Sequence, residues 1–353
     1  MTRSGGVLKD LKAKANKRNA SRNTGVARST KSTTQEQSLP LEIQQRCLNI
    51  FQDAMKTGLE DKKSLQEVKG HLFDRNFAAA FGQEEYLQTY ASRWSPSRAL
   101  GYAEIFAILK PYIFSDETPK DHQSGSLRIT CLGGGAGAEL VGLAGWCKIL
   151  GDAFENLTMD LNLIDIAEWT SVVKELTHRI VNPPELSKYA SAAAKEANVA
   201  FLELTKFKPH FSKEDVLNWS SDATSLATGD TSILTLLFTL NELYSTSMAK
   251  TQKLLTQLTA SMRSGSLLLV VDSPGSYSTV TINGAEKKYP MQWLLDHTLL
   301  GALDRVDVAP WEKLVSDDSR WFRMPEGLQY PIDLENMRYQ IHLYRKTEER
   351  TAS

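Results

Sequence analysis

The chain has few of the residues that staple a fold, hold a metal or cross a membrane. Its 353 residues include three cysteines, Cys47, Cys131 and Cys147, and no CxxC pair. An odd count in a chain of this length argues against a disulfide framework and fits a reducing compartment. Long apolar runs are missing too: Ile233 to Leu240 and Leu267 to Val271 fall far short of the ~20 residues of a spanning helix. The six histidines, His71, His122, His178, His210, His297 and His342, show no HxxxH spacing and no cysteine partner, so no metal centre is expected. Acids are nearly absent from residues 1–34, where Asp10 stands alone against nine lysines and arginines. The net charge of −1 therefore divides into +8 on this arm and −9 on residues 35–353. No apolar core follows the basic start, as a secretory signal requires, and the sustained amphipathic pattern of a transit peptide is lacking.

With 41% hydrophobic and 24% charged residues, the remainder is ordinary globular material, enough for one large domain with additions. Residues 1–38 carry Ser, Thr, Asn, Lys and Arg but almost no large apolar groups, and are expected to form a flexible basic arm. Such an arm suits RNA through counterion release, and equally suits nuclear import. From Leu41 the spacing turns helical, with Leu48, Phe51 and Met55 following at sevens, threes and fours. Ser64 and Glu67 have capping-box spacing, Glu84 to Arg93 reads as a helix, and Ser95-Pro96 reads as the start of another running to about Lys110. Residues 39–119 are thus expected to form a helical N-terminal subdomain.

At residue 126 the register changes. Leu127-Arg-Ile-Thr-Cys-Leu132 is a short apolar run ending in glycines, the pattern of a strand buried on both faces. Like runs at Met159 to Ile164, Ile233 to Leu240 and Leu267 to Val271 alternate with helical segments Ala138 to Leu150, Glu168 to Ile180 and Ser247 to Met262. The alternation implies right-handed βαβ units and a doubly wound, Rossmann-like α/β domain over 120–347. Pro183 to Lys206 is too long for a plain connection and reads as an insertion, with a helix near the ligand in its alanine-rich part. Trp321 to Met324 and Met337 to Tyr344 read as an antiparallel C-terminal hairpin closing one sheet edge.

Gly133-Gly134-Gly135-Ala136-Gly137-Ala138-Glu139 lies between the first strand and the helix after it. Ligands of doubly wound sheets bind there, where loops diverge and the helix N-terminus presents free N–H groups. Two ligands stay open on the glycines alone. Gly133, Gly135 and Ala138 fit the dinucleotide pattern, while Gly133, Gly135 and Gly137 fit the loop of S-adenosylmethionine (SAM) methyltransferases. Asp165, ending the second strand, can accept two ribose hydroxyls in either case. His210 to Leu217, with Asp215, resembles the third strand and acidic turn that hold the adenine amino group in methyltransferases, and the hairpin resembles their reversed last strand. Both favour SAM over a nicotinamide cofactor.

Asn241-Glu-Leu-Tyr244 follows the fourth strand, and Asp272-Ser-Pro-Gly-Ser-Tyr277-Ser278 follows the fifth. With Tyr90-Ala-Ser-Arg93-Trp94-Ser-Pro96-Ser-Arg98 upstream, the ensemble over 41–345 resembles the fungal family of SAM-dependent methyltransferases acting at N3 of a uridine in large-subunit ribosomal RNA. The resemblance implies the class I SAM methyltransferase fold, SAM as cofactor, and ribosomal RNA or a pre-ribosomal particle as partner. It places the protein in the nucleus or nucleolus, with the cytoplasm as second choice, as a monomer away from membranes. The uracil imide must lose its proton, for which Glu242 is the first choice of base and Asp272 the second. Asn241 could hold a uracil carbonyl, and Tyr244 or Tyr277 could stack on the base. Arg93, Trp94 and Arg98 suit RNA phosphate or base contact. The cofactor is assigned to Gly133, Gly134, Gly135, Gly137, Asp165 and Asp215, and Gly135→Val is expected to fill the ligand's space. Three further readings stand beside this one: a SAM methyltransferase acting on a small molecule or protein, a non-catalytic RNA-binding ribosome assembly factor, and a nicotinamide oxidoreductase.

Overall fold

Leu127, Ile129 and Cys131 alternate with Thr130 and Leu132 along strand β1 (Ser126–Leu132), and all of them are buried. A strand packed on both faces belongs to the centre of a covered sheet. The computed structural model describes residues 39–119, 125–275, 277–282, 285–301 and 309–348; the basic arm read over 1–38 lies outside them. The sheet contains β1, β2 (Thr158–Asp165), β3 (Phe207–Lys213), β4 (Ile233–Leu237), β5 (Leu267–Asp272), β8 (Trp311–Phe322) and β9 (Met337–Lys346). Its order is β3-β2-β1-β4-β5-β9-β8, with β6 (Tyr277–Ile282) and β7 (Ala285–Pro290) paired separately. The first five strands run parallel, and β9 and β8 reverse direction at one edge. The C-terminal hairpin is therefore present, with its first strand starting at Trp311, ten residues before the start expected from the sequence.

Two apolar layers flank the sheet. On one face, Ile129, Leu161, Leu269 and Ile341 pack beneath helices α1 (Leu41–Ala54), α3 (Glu84–Ile113), α4 (Ala138–Leu150) and α5 (Thr170–Val181); α2 (Lys62–Phe73) lies beside α3. On the other, Leu132, Leu234, Leu268 and Val270 meet α6 (Ser221–Thr228), α7 (Leu240–Thr246), α8 (Met248–Ser261) and α9 (Met291–Leu299). The two-residue alternation along β4 and β5 divides their side chains between the layers.

Three expectations are corrected here. Ser95-Pro96 starts no helix, because α3 runs unbroken through Pro96. A proline inside a helix deprives the carbonyl four residues earlier of its partner. At this position Tyr330 repairs the loss, its hydroxyl donating to the Ser92 carbonyl at 2.9 Å, while the Ser95 hydroxyl donates to Ala136 of the glycine loop at 2.7 Å. The fourth apolar run is not strand to its end: β4 stops at Leu237, Phe238 takes a left-handed φ of 57°, and α7 begins at Leu240. The insertion is no neighbour of the glycine loop. Its Phe201 ring sits under Arg46 and Lys148. Lys148 lies in the last turn of α4, about 15 Å along the helix from the loop at 1.5 Å per residue.

The crossing of α3 and α4 is close because of Gly142, where an added Cβ would lie 2.7 Å from the Ala99 carbonyl oxygen. Backbone cannot swing aside as a flexible side chain can. Gly142→Val is accordingly expected to destabilise the fold by about 1–3 kcal/mol through overpacking. Urea unfolding reads this directly, and an unchanged midpoint would show that the two helices can separate freely.

Candidate functional site

The glycine loop is where three strand ends converge. Gly133 donates its N–H to Ile164 of β2 at 2.7 Å and, with φ at 85°, leaves the space its side chain would fill to Thr239 beyond β4. Gly134 lies against Cys131, Glu139 and Leu163, and Gly137, with φ at 80°, makes room for Leu176 of α5. At the end of β2, Asp165 accepts from Gly135 N through Oδ2 and from Ala167 N through Oδ1, both at 3.1 Å. Burial pushes its carboxyl above the ordinary range, and the Ala167 and Gly135 amides pull it back. On the next strand end, Glu214 donates its N–H to the Asp165 carbonyl, and half-buried Asp215 closes the following turn by accepting from Leu217 N at 3.0 Å.

Sequence reasoning missed Trp169, for which no local signal exists. Its indole, 2% exposed, occupies the space a side chain at Gly135 would take. The expectation for Gly135→Val changes accordingly: the valine meets the protein's own tryptophan, and loss of stability accompanies any loss of ligand. Trp169 Nε1 is close enough to favour an ionised Asp165 yet makes no hydrogen bond of good geometry, so a buried donor is left over. Phe81, Tyr90 and Trp94 continue the aromatic wall, with ring separations of 5.0–5.9 Å from Trp94 through to Trp169.

Glu139 closes the glycine-rich stretch at the start of α4. It is 3% exposed and accepts from the Thr235 hydroxyl at 2.6 Å, tying the start of α4 to β4. Burial pushes its carboxyl up to about 7, against the Thr235 bond. The local signal was its place in the first turn of a helix, where acids are favoured.

Beyond β4 and β5 lies a second group. Asp272, at the end of β5, accepts from Asn241 N at 3.0 Å and from Ser273 N at 2.7 Å. Burial pushes its carboxyl up to about 6, while the two amides and the nearby Arg98 favour the charge. Glu242 is half-buried in the first turn of α7; burial raises it, and Oε2 is buried with no hydrogen-bond partner. The structure thus brings together Asn241, Glu242, Asp272 and Arg98. Tyr244 is not among them. At 4% exposure it packs in the apolar layer under α8 and α9, so the stacking platform expected of it is corrected to core. The Tyr277 side chain lies outside the described residues. Arg93 is engaged as a strap, its guanidinium donating to Asp333 O at 2.7 Å and Glu335 Oε1 at 2.9 Å.

Asp165 accepts two amides and retains lone pairs for vicinal hydroxyls. Trp169 Nε1 remains a spare donor, and the loop opens the N-terminus of α4. These residues fit SAM. A parallel sheet ordered β3-β2-β1-β4-β5, a reversed β9 and such a loop beneath the acid of β2 together define the class of SAM-dependent methyltransferases. Residues 49–345 match a family described by that same activity, and the chain belongs to it. Among curated relatives is the 25S rRNA (uridine(2843)-N(3))-methyltransferase of Saccharomyces cerevisiae, 33% identical over 84% of this chain and 80% of that protein. Solved structures overlap more loosely. The 1,6-didemethyltoxoflavin-N1-methyltransferase of Burkholderia thailandensis is 10% identical at a TM-score of 0.38, covering 79% of this chain and 89% of that one. A SAM-dependent methyltransferase of Methanosarcina mazei is 11% identical at 0.34, covering 65% and 97%. Among the described residues there is no cluster suited to a metal ion and no helix long and apolar enough to cross a membrane.

Glu139 links the site to stability. Its carboxyl rises from an ordinary 4.5 to about 7 on folding, so the fold holds the proton more tightly than the unfolded chain does. Its contribution is complete below pH 4.5 and is lost as the pH rises through 7. Glu139→Gln, which keeps an acceptor for Thr235, is expected to flatten unfolding free energy across that window. An unaltered slope in denaturant titrations between those pH values would mean the carboxyl is not the group responsible.

Proposed function

We propose that this chain transfers a methyl group from SAM to N3 of a uridine in large-subunit ribosomal RNA. The relative from Saccharomyces cerevisiae, 33% identical, is named for that reaction. On this chain the reading is carried by Glu242, whose Oε2 is buried and unpartnered in the first turn after β4. An imide nitrogen is a poor nucleophile until its proton is removed, and a carboxylate of raised pKa is matched to that task.

SAM supplies a methyl group on a positively charged sulfur. The protein's part is placement. Asp165 would accept the ribose hydroxyls of the cofactor, Gly133, Gly134, Gly135 and Gly137 would pass under its amino-acid part, and Asp215 would face its adenine. Glu242 takes the N3 proton. Asn241 offers its side chain to a uracil carbonyl while its backbone N–H is held by Asp272, so Asp272 acts as a positioning residue rather than as the base. A base must leave its stack to reach such a site, which favours a loop or single-stranded target. The arm at 1–34, at +8, would add sequence-blind affinity that weakens with salt. Ribosomal RNA or a pre-ribosomal particle is then the partner, and the nucleus or nucleolus the compartment.

Four measurements test this. Nucleosides from the large-subunit RNA of cells lacking the gene are expected to lose 3-methyluridine, and an unchanged level on mass spectrometry would refute the product. Titration calorimetry is expected to show SAM binding; no binding would favour a non-catalytic RNA-binding factor. Glu242→Gln should lower kcat by about 10²–10⁴-fold with SAM affinity retained. The wild-type rate should rise with pH through a value above the ordinary carboxylate pKa of 4.5, because the base acts ionised.

A further inference from the structure

Between α3 and the start of β9 lies a cavity of about 170 Å³ walled by Trp94, Arg98, Phe238, Asn336 and Met337. It adjoins the end of β4, through Phe238, on the same sheet edge as Asn241 and Asp272. Arg93 and Arg338 also line it, but Arg93 is bonded to Glu335 of the same wall and Arg338 lies against the Trp321 ring and the Ser319 hydroxyl, whereas Arg98 is set over the Phe238 ring.

We propose that this cavity seats the extruded uracil, and that Arg98 binds one of its carbonyl oxygens and stabilises the N3 anion. The proposal rests on uridine being the acceptor. Arg98 is held in a fixed pose, Nη1 donating to the Tyr90 hydroxyl at 2.8 Å and the guanidinium carbon 4.8 Å from the Phe238 ring centre. Among the described residues it forms no ion pair, whereas Arg93, five residues earlier, is bonded to Glu335. Asp272 is near enough to feel its charge but gives its own oxygens to backbone amides. A deep cation facing a cavity with its charge not cancelled by a bonded carboxylate is a receptor for negative charge that appears there.

Phe238 supplies a second, independent observation. A bulky residue at a φ of 57° is strained, and such strain persists where surrounding structure enforces it, most often at functional sites. Its backbone N–H is pinned to Val271 O at 2.7 Å, and the left-handed turn sets its ring against both Arg98 and Tyr102.

The chemistry balances. Glu242 takes the N3 proton, leaving one negative charge spread over N3 and the two flanking carbonyl oxygens. Arg98 stabilises that charge at an oxygen while the N3 lone pair forms the bond to the methyl carbon. The carbon–sulfur bond breaks with its electron pair passing to sulfur, giving the neutral thioether, N3-methyluridine and protonated Glu242.

The test compares wild type, Arg98→Gln and Arg98→Lys in single-turnover methylation of unmodified large-subunit RNA, and of the same RNA transcribed with 5-fluorouridine. Fluorine at C5 withdraws charge and supports the anion without help from the protein. Arg98→Gln is expected to be about 10²–10³-fold slower, the loss typical of a removed oxyanion donor, with affinities for SAM and RNA retained. Arg98→Lys should fall between the two. The deficit of both variants should shrink on the fluorinated RNA. A full rate in Arg98→Gln, a loss explained by weaker SAM binding, or weaker RNA binding with chemistry intact would each overturn the proposal, the last two assigning Arg98 to the cofactor or a phosphate. Should Arg98→Gln fail to fold, Arg98→Lys decides alone, and an equal deficit on both RNAs refutes the role. A wild type that methylates no uridine refutes the function itself, while one that does so beside an unaffected variant refutes only this assignment.

Discussion

Helix α3 meets the glycine loop and α4 at backbone distance, with no side chain at Gly142 and one hydrogen bond from Ser95 to Ala136. That contact makes the N-terminal helices part of the methyltransferase rather than an appendage to it. The same turns that pack against the loop carry Tyr90, Trp94 and Arg98 to the C-terminal edge of the sheet, so folding of the helical region and completion of the site are one event. It also explains how a helix tolerates Pro96: the carbonyl that the proline frees is taken up by Tyr330 from the far end of the chain.

Electrostatically, the edge of the sheet gathers acids that burial holds above their ordinary pKa: Glu139 and Asp165 on the loop side, Asp272 and Glu242 on the other. Their fates differ by hydrogen bonding. Asp165 and Asp272 each accept two backbone amides and serve as fixed struts; Glu139 accepts one hydroxyl inside the core; Glu242 keeps an oxygen free. A carboxylate already satisfied by amides is a poor proton acceptor, because protonation forfeits those bonds. This ranks Glu242 ahead of Asp272 on chemistry, as strand position alone had ranked it.

The parallel core was legible because strands buried on both faces leave unbroken apolar runs, and β1, β2, β5 and α4 lie where those runs place them. Residue chemistry also marked the polyglycine turn, and Asp165 and Glu242 follow β2 and β4 where the strand reading puts them. What escaped was conformational. Nothing in Phe238 announces a left-handed residue at the end of a strand, and Tyr244 has the composition of a stacking platform but the environment of a core residue. The insertion has a helix at Ala192–Glu196 as its alanine content suggests, yet Phe201 of the same segment sits under Arg46 and Lys148, toward the far end of α4.

Sequence alone determined the alternation of the central strands and helices, the polyglycine turn and the acids that follow the strands, because hydrophobic period and residue chemistry are local properties. Only the tertiary structure decided which of those groups meet. Trp169 against Gly135, Tyr330 against Ser92, and Arg98 over Phe238 join residues 34, 238 and 140 positions apart, and only packing can select such partners.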